Sequence, residues 1–390
     1  MGTELVVLSI CIVFCIIIFK AFESRSTRDP TVQDDAENDP INLSPKLTES
    51  YLNLKNYTGQ TKLVKYIRGH INKAKKTGKP LPHMVLSGSG GLGKSTLVKA
   101  IANEMGGQFV EATPALLKSS KDMFDLLFVK KCPMCGHPNP YTINRCQKCR
   151  ASLVLYYNPQ PKLLTNDILF LEECHGLRVD IEEALYSLMQ DGYIIMRYNG
   201  LDQQVIYPDI TIAGATTRLG DLRKPFRDRF KINLQLEPYT HEEMVVIINQ
   251  YCNNKEIDCD PSGADYIASL SYGVPRIAKS FIEDATTVSS KVSKNTVHKI
   301  CNLKDIDENG LHNVHREILM YIHVRGQAGA SAIATSVGIT VSIYLEVYEP
   351  ALLYKRLIWQ GSRGRMLTLK AVNMYFPNCK CDKCNKIRSS

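Results

Sequence analysis

Apolar residues along the chain follow different rhythms in its two halves. Short apolar runs at residues 84–86, 168–171 and 210–214 have the length of buried strands, and each leads into glycine, acidic or hydroxyl residues. Between them, apolar positions recur every three or four residues, as helices require. Such stretches are residues 62–76 (Leu63, Tyr66, Ile67, Ile71), 97–105 (Leu97, Val98, Ile101, Met105) and 180–190. Residues 193–198 and 204–207 flank Asn199-Gly-Leu-Asp, which by turn chemistry predicts a hairpin. Strand and helix alternating in this way predict an α/β fold over residues 47–237. Beyond residue 238 the helical period takes over (Met244, Val245, Ile247, Ile248, Tyr251), broken by Gly273-Val-Pro275, which predicts a small helical domain over 238–305. Residues 312–325, 330–337 and 341–353 then read as three helices, and 357–359 and 366–369 as short strands, the order of a winged helix over 306–375.

The first 23 residues have a different pattern. Residues 5–19 carry no charge and are followed by Lys20, Arg25 and Arg28. Fifteen residues fall short of a span of about 20, although Ala21 and Phe22 lengthen the run. Only Glu4 precedes it, so the basic leader of a secretory signal is missing. An uncleaved membrane anchor is expected, with the bulk of the chain cytoplasmic by the positive-inside rule. Residues 24–46, rich in Ser, Thr, Asp, Asn and Pro, read as a linker.

Chemistry concentrates where the first strand meets its helix. Gly88, Gly93, Lys94 and Ser95 fit G-x-x-x-x-G-K-[ST], with strand before and helix after. Glycine curvature, with Gly91 inside the loop, lets successive N–H groups point at a β-phosphate, and the helix N-terminus adds partial positive charge. Lys94 would reach the β- and γ-phosphates, Ser95 would hold Mg²⁺, and Thr96 follows in the first turn. The run at 168–171 ends in Glu172 and Glu173, which places one carboxylate over the Mg²⁺ and the next against the attacking water. A net charge of +9 leans toward nucleic acid or another anionic surface. Of the thirteen cysteines, several are isolated in apolar runs and the rest cluster in C-x-C or C-x-x-C spacing. That distribution suggests a reducing compartment and metal ligation rather than disulfides.

Several strings resemble the RuvB family of AAA+ motors, which drive branch migration of Holliday junctions. They are Tyr57-Thr-Gly-Gln60, the phosphate loop with Ile101-Ala-Asn-Glu-Met-Gly106, Ile168-Leu-Phe-Leu-Glu-Glu-Cys-His175 and Gly214-Ala-Thr-Thr-Arg218. Phe226-Arg-Asp-Arg-Phe230, Gly273-Val-Pro-Arg-Ile-Ala278, Glu346-Val-Tyr-Glu-Pro350 and Arg363-Gly-Arg365 continue in the family's order, so the likeness spans residues 47–375. The resemblance implies an AAA+ P-loop ATPase core with a helical lid and a winged helix. It makes Glu173 the general base, Thr217 the sensor of the lytic water and Arg229 a finger reaching a neighbouring subunit. Tyr57, Tyr239, Arg227 and the second sensor Arg276 would lie near nucleotide. A finger acting in trans requires an oligomer, here a homo-hexamer around duplex DNA. The hairpin at 193–207 corresponds to the one that docks the partner RuvA, with a shorter tip. Two stretches depart from the family: Glu172 replaces Asp, and Gly88-Ser-Gly-Gly91 replaces the stiffer Gly-Pro-Pro-Gly.

Two cysteine clusters are not part of that resemblance. Within 131–150, Cys132-x-x-Cys135 and Cys146-x-x-Cys149 form the two knuckles of a zinc ribbon, four thiolates closing a tetrahedron; a redox dithiol pair is the alternative. In the basic tail, 376–390, Cys379, Cys381 and Cys384 supply three thiolates without an obvious fourth ligand. Arg363 and Arg365 at the wing are expected to contact DNA phosphate or enter a minor groove. The sequence thus predicts an ATP- and Mg²⁺-dependent motor on four-way-junction DNA, carrying Zn²⁺ and partnered by a RuvA-like protein. A clamp-loader-like ATPase and a membrane-tethered ATP-binding switch are the competing readings.

Overall fold

The computed structural model of the chain describes residues 52–154, 159–198 and 201–389. The expected membrane anchor and linker lie outside the described residues, as does the hairpin turn Asn199-Gly200. Among the described residues no single helix is long and apolar enough to cross a membrane.

Helix α1 (Thr61–Thr77) precedes strand β1 (Met84–Ser87), and α2 (Lys94–Met105) precedes β2 (Phe109–Ala112). A capping box between Ser119 and Asp122 starts α3 (Ser120–Leu127). Helix α3 stops at Leu127. Phe128–Lys131 forms β3, antiparallel to β4 (Pro138–Pro140) and β5 (Pro159–Pro161). Apolar runs this short suit either periodicity, and pairing with β4 inside the cysteine-bearing insertion and with β5 after it makes this one a strand. Strand β6 (Ile168–Leu171), helix α4 (Val179–Asp191) and the hairpin β7 (Tyr193–Tyr198) with β8 (Leu201–Ile206) follow. The core ends with β9 (Thr211–Thr216), α5 (Lys224–Arg227) and β10 (Ile232–Gln235).

Five strands form a parallel sheet in the order β10-β1-β9-β6-β2. Both faces are covered, so alternate residues of one strand enter different cores. Met84 and Leu86 pack with α1, α2 and the lid, whereas Val85 packs with α3 and α4. This explains why the strands read as unbroken apolar runs. The carboxyl ends of β1, β6 and β9 carry the phosphate loop, Glu172-Glu173 and Thr216-Thr217, the edge of an open α/β sheet where ligands bind.

The lid consists of α6 (His241–Asn254), α7 (Pro261–Leu270), α8 (Pro275–Val288) and α9 (Lys294–Leu303), with β11 (Asp258–Cys259) and β12 (Lys291–Val292) paired between them. The last module contains α10 (Asn313–Arg325) and α11 (Ala330–Ser336). Its expected third helix is interrupted: α12 (Val341–Ile343) runs into a π-turn (Tyr344–Tyr348) and then α13 (Glu349–Tyr354). Pro350 brings no N–H to the helical ladder, and the turn before it widens. The wing is β13 (Ile358–Gly361) with β14 (Gly364–Leu367), followed by α14 (Leu369–Tyr375) and α15 (Asp382–Ser389).

Candidate active site and its surroundings

The phosphate loop folds around its glycines and against the lid. Gly91 has φ +81°, and a Cβ there would lie 2.7 Å from the Cβ of Arg276 on α8. At Gly88 (φ +143°) a Cβ would meet the Leu236 carbonyl at 2.7 Å. Lys94 is buried at the start of α2, its ammonium donating to the carbonyls of Gly88 (2.8 Å) and Ser89 (3.1 Å). Burial holds its pKa below the usual lysine value; Glu173 and Glu172 oppose that shift and Arg276 adds to it.

Glu173 follows β6 in a left-handed conformation (φ +45°) that turns its carboxylate across the sheet edge to β9. Its Oε2 accepts from the Thr217 backbone N–H at 3.0 Å and the Thr217 hydroxyl at 3.1 Å. His175 Nδ1 stands 3.3 Å from the same oxygen and 2.9 Å from the Thr216 hydroxyl. Arg218 donates to His175 Nε2 at 2.6 Å, and since arginine can only donate, the proton of a neutral imidazole sits on Nδ1. Motif reading did not single out His175 or Arg218, which together orient the carboxylate. Glu172 lies beside Glu111 of β2, whose pKa is raised by burial, against Lys99 and with help from Glu172.

A cleft of about 390 Å³ is lined by Gly90, Gly91, Gly93, Lys94, Ser95, Thr96, Phe170, Glu172, Glu173, Ala215, Pro275, Arg276 and Lys279. Lys279, one helical turn after Arg276, was missed; its spacing of three from Arg276 on one helix was the available signal. Tyr57 and Tyr239 stand behind the loop, their hydroxyls 2.9 Å apart, and Tyr239 also donates to the Leu92 carbonyl at 3.1 Å. Burial raises the pKa of both. Arg227 and Arg229 are not part of this lining. The Arg229 guanidinium lies over the Tyr186 ring at 4.5 Å, donating to Pro225 O (2.6 Å) and Gln190 Oε1 (3.1 Å).

At the wing the two expected arginines separate. Arg363 is exposed in the turn between β13 and β14. Arg365 is folded inward: its Nε pairs with Glu349 Oε1 and its Nη2 with Oε2 at 3.1 Å, the side chains being 12% and 7% exposed. The expectation that both reach DNA is therefore corrected for Arg365. The Arg365 backbone also forms an antiparallel bridge with Ala328.

The family model described as Holliday junction DNA helicase RuvB P-loop domain matches residues 51–131 and 160–236, and the RuvB C-terminal winged helix domain matches residues 308–375. The chain belongs to the RuvB family. It is similar to the RuvB Holliday junction branch migration complex subunits of Kosmotoga olearia and Thermotoga maritima. Identity to the first is 34% over 82% of this chain and 87% of the relative; to the second it is 32% over 84% and 90%. The solved structure of the Thermotoga maritima RuvB Holliday junction branch migration motor superposes with a TM-score of 0.63 at 30% identity, covering 83% of this chain and 96% of that one. The RuvB match breaks between residues 131 and 160, where the first cysteine cluster sits.

In that insertion the sulfurs of Cys132, Cys135, Cys146 and Cys149 lie within 4.8 Å of one another. Cys132 and Cys149 are 3.5 Å apart, and Cys135 and Cys146 3.6 Å. Tetrahedral zinc with Zn–S near 2.3 Å sets S···S edges of roughly 3.8 Å, so the donor set and its spacing fit that ion. Among the described residues the small core there is Leu153 with the buried Cys132 and Cys146, against which Ile143 and Ala151 pack, too little to hold the fold by burial alone.

Proposed function

We propose that the chain is an ATP-hydrolysing motor that moves four-way-junction DNA as a homo-hexamer. In this reading residues 47–237 hydrolyse nucleotide, 238–305 form the lid and 306–375 face DNA. The observation that carries it is the division of the arginines: Arg276 lines the cleft with Lys94 and Glu173, while Arg229 lies outside it. A guanidinium kept away from its own site can serve a neighbour's, which makes hydrolysis a property of the interface.

Lys94 neutralises charge on the β- and γ-phosphates, with Gly88, Gly91, Gly93 and Thr96 contributing backbone curvature and N–H groups. The Ser95 hydroxyl and Glu172 carboxylate share the cleft, the hard oxygen donors that Mg²⁺ takes. Mg²⁺ bound there would supply charge neutralisation at the transferring phosphoryl group. Thr217 and His175 hold Glu173 Oε2, leaving Oε1 to accept the proton of the attacking water. Arg229 of one subunit then spreads transition-state charge at the next subunit's site. Tyr57, Tyr239 and Arg227 complete the nucleotide surroundings.

Arg363 contacts DNA phosphate at the wing. The hairpin β7–β8 presents Ile195 and Ile206 on its exposed face, 48% and 83% accessible, and a RuvA-like partner would cover them. Zn²⁺ would hold the insertion through Cys132, Cys135, Cys146 and Cys149. Thiolate ligation suits the cytoplasm; a membrane tether through residues 1–23 rests on their apolar run alone. The test is ATP turnover and dissociation of a synthetic four-way junction. Junction-stimulated turnover that Lys94→Ala and Glu173→Gln each abolish is expected. Nucleotide binding with no turnover on any DNA would replace the motor with an ATP-binding switch.

A further inference from the structure

The three tail cysteines meet a fourth ligand that lies far away in sequence. His323 occupies the last turn of α10, and its Nε2 lies 3.3 Å from Cys379 Sγ, 3.7 Å from Cys381 Sγ and 3.2 Å from Cys384 Sγ. All four ligand atoms fall within 4.8 Å of one another. Neutral thiols do not account for this arrangement, because the imidazole Nε2 has one lone pair and accepts from one S–H. A disulfide would use two sulfurs and leave the third thiol and the imidazole facing it. One cation with three thiolates and a nitrogen uses every member. Tetrahedral Zn–S and Zn–N bonds set ligand-to-ligand edges of roughly 3.5–3.8 Å, close to the separations here.

We propose that His323, Cys379, Cys381 and Cys384 form a second structural zinc site, which pins the C-terminal tail to the winged helix. The surroundings are built for it. The imidazole stacks on Phe376 with centroids 4.1 Å apart and planes 9° apart, which fixes the direction of Nε2. The Cys384 backbone N–H points at Cys381 Sγ at 3.5 Å, the outer contact that steadies a thiolate. Arg388 donates to the carbonyls of Cys379 (2.6 Å), Phe376 (2.9 Å) and Pro377 (3.0 Å), and Lys383 reaches the Val324 carbonyl. These cations also offset the excess negative charge of three thiolates. Cys384 is fully buried against the winged-helix core, whereas the tail has no core of its own. Metal ligation contributes folding free energy to such a segment directly. The RuvB winged-helix match ends at residue 375, so His323 lies within the matched module and the three cysteines beyond it.

The full-length chain, purified without chelator, is expected to carry two zinc ions by elemental analysis. Cys381→Ser with Cys384→Ser removes one, and Cys135→Ser with Cys146→Ser removes the other, so the two sites are counted separately. Refilling the latter variant with Co²⁺ should give the absorption of a tetrahedral three-sulfur, one-nitrogen site, lost on His323→Ala. A readout on the unsubstituted protein covers variants that fail to fold: alkylation mapped by peptide should leave Cys379, Cys381 and Cys384 protected until a chelator is added. One zinc in the wild type, retained by the tail variant, with the tail thiols alkylated at once, would overturn the proposal. A disulfide between two tail cysteines in the freshly isolated protein would do the same.

Discussion

Replacing Arg365 and Arg363 separately by alanine distinguishes a structural arginine from the one proposed to contact DNA two residues earlier in the hairpin. Arg365 makes a two-pronged pair with Glu349, whose Oε1 also accepts from the Tyr344 hydroxyl at 3.1 Å. Arg365→Ala leaves a carboxylate 7% exposed with that hydroxyl as its remaining side-chain partner. Breaking a buried pair on one side costs about 3–5 kcal/mol, and the retained hydrogen bond puts this one at about 3 kcal/mol. For a module of this size that lowers its melting temperature by more than about 10 °C. Arg363→Ala removes an exposed side chain and should change stability by less than about 0.5 kcal/mol. It should reduce the slope of log affinity against log salt by about 0.9, one phosphate contact. Calorimetry and fluorescence anisotropy on duplex DNA over a salt series read both quantities. If Arg365→Ala melts with the wild type and flattens the salt slope, its guanidinium is free and the pairing argument is wrong.

Arg229→Ala and Glu173→Gln should each reduce turnover by about 10³-fold or more. Mixed in equal amounts they should regain roughly a quarter of wild-type activity, since about one interface in four then joins an intact base to an intact finger; no recovery on mixing would exclude action in trans. His315 is buried, with His312 and Arg316 nearby, and burial pushes its pKa down to about 3. Above pH 6.5 both states are neutral, so no penalty arises. Below it the unfolded chain binds a proton that the folded chain refuses, and stability should fall by up to about 1.4 kcal/mol per pH unit until pH approaches 3. Urea unfolding across that range, compared with His315→Gln, isolates the effect; parallel curves would rule it out.

Local chemistry was legible in the sequence, and partners distant along the chain were not. The phosphate loop could be read because strand, glycines, Lys94 and helix are contiguous, and the Cys132–Cys149 cluster because its knuckles repeat at short spacing. The tail site could not, because His323 is 56 residues before Cys379 and looks like any polar residue near a helix end. Arg365 misled because its pairing depends on how the π-turn delivers Glu349. The roles of His175 and Arg218 emerge only when β6 and β9 lie side by side, and Lys279 was hidden behind the stronger motif residue Arg276.

Gly91 has a consequence for how variation in this chain is interpreted. Its left-handed backbone serves the loop, but the space for a side chain is denied by Arg276 and Val274 of the lid segment, the latter 3.0 Å from the missing Cβ. Selection at position 91 therefore answers to a distant stretch of sequence as well as to nucleotide. A substitution there would be scored as a binding defect although part of the damage is steric exclusion of the lid. Compensating changes should arise at 274 or 276, outside the motif that defines the loop.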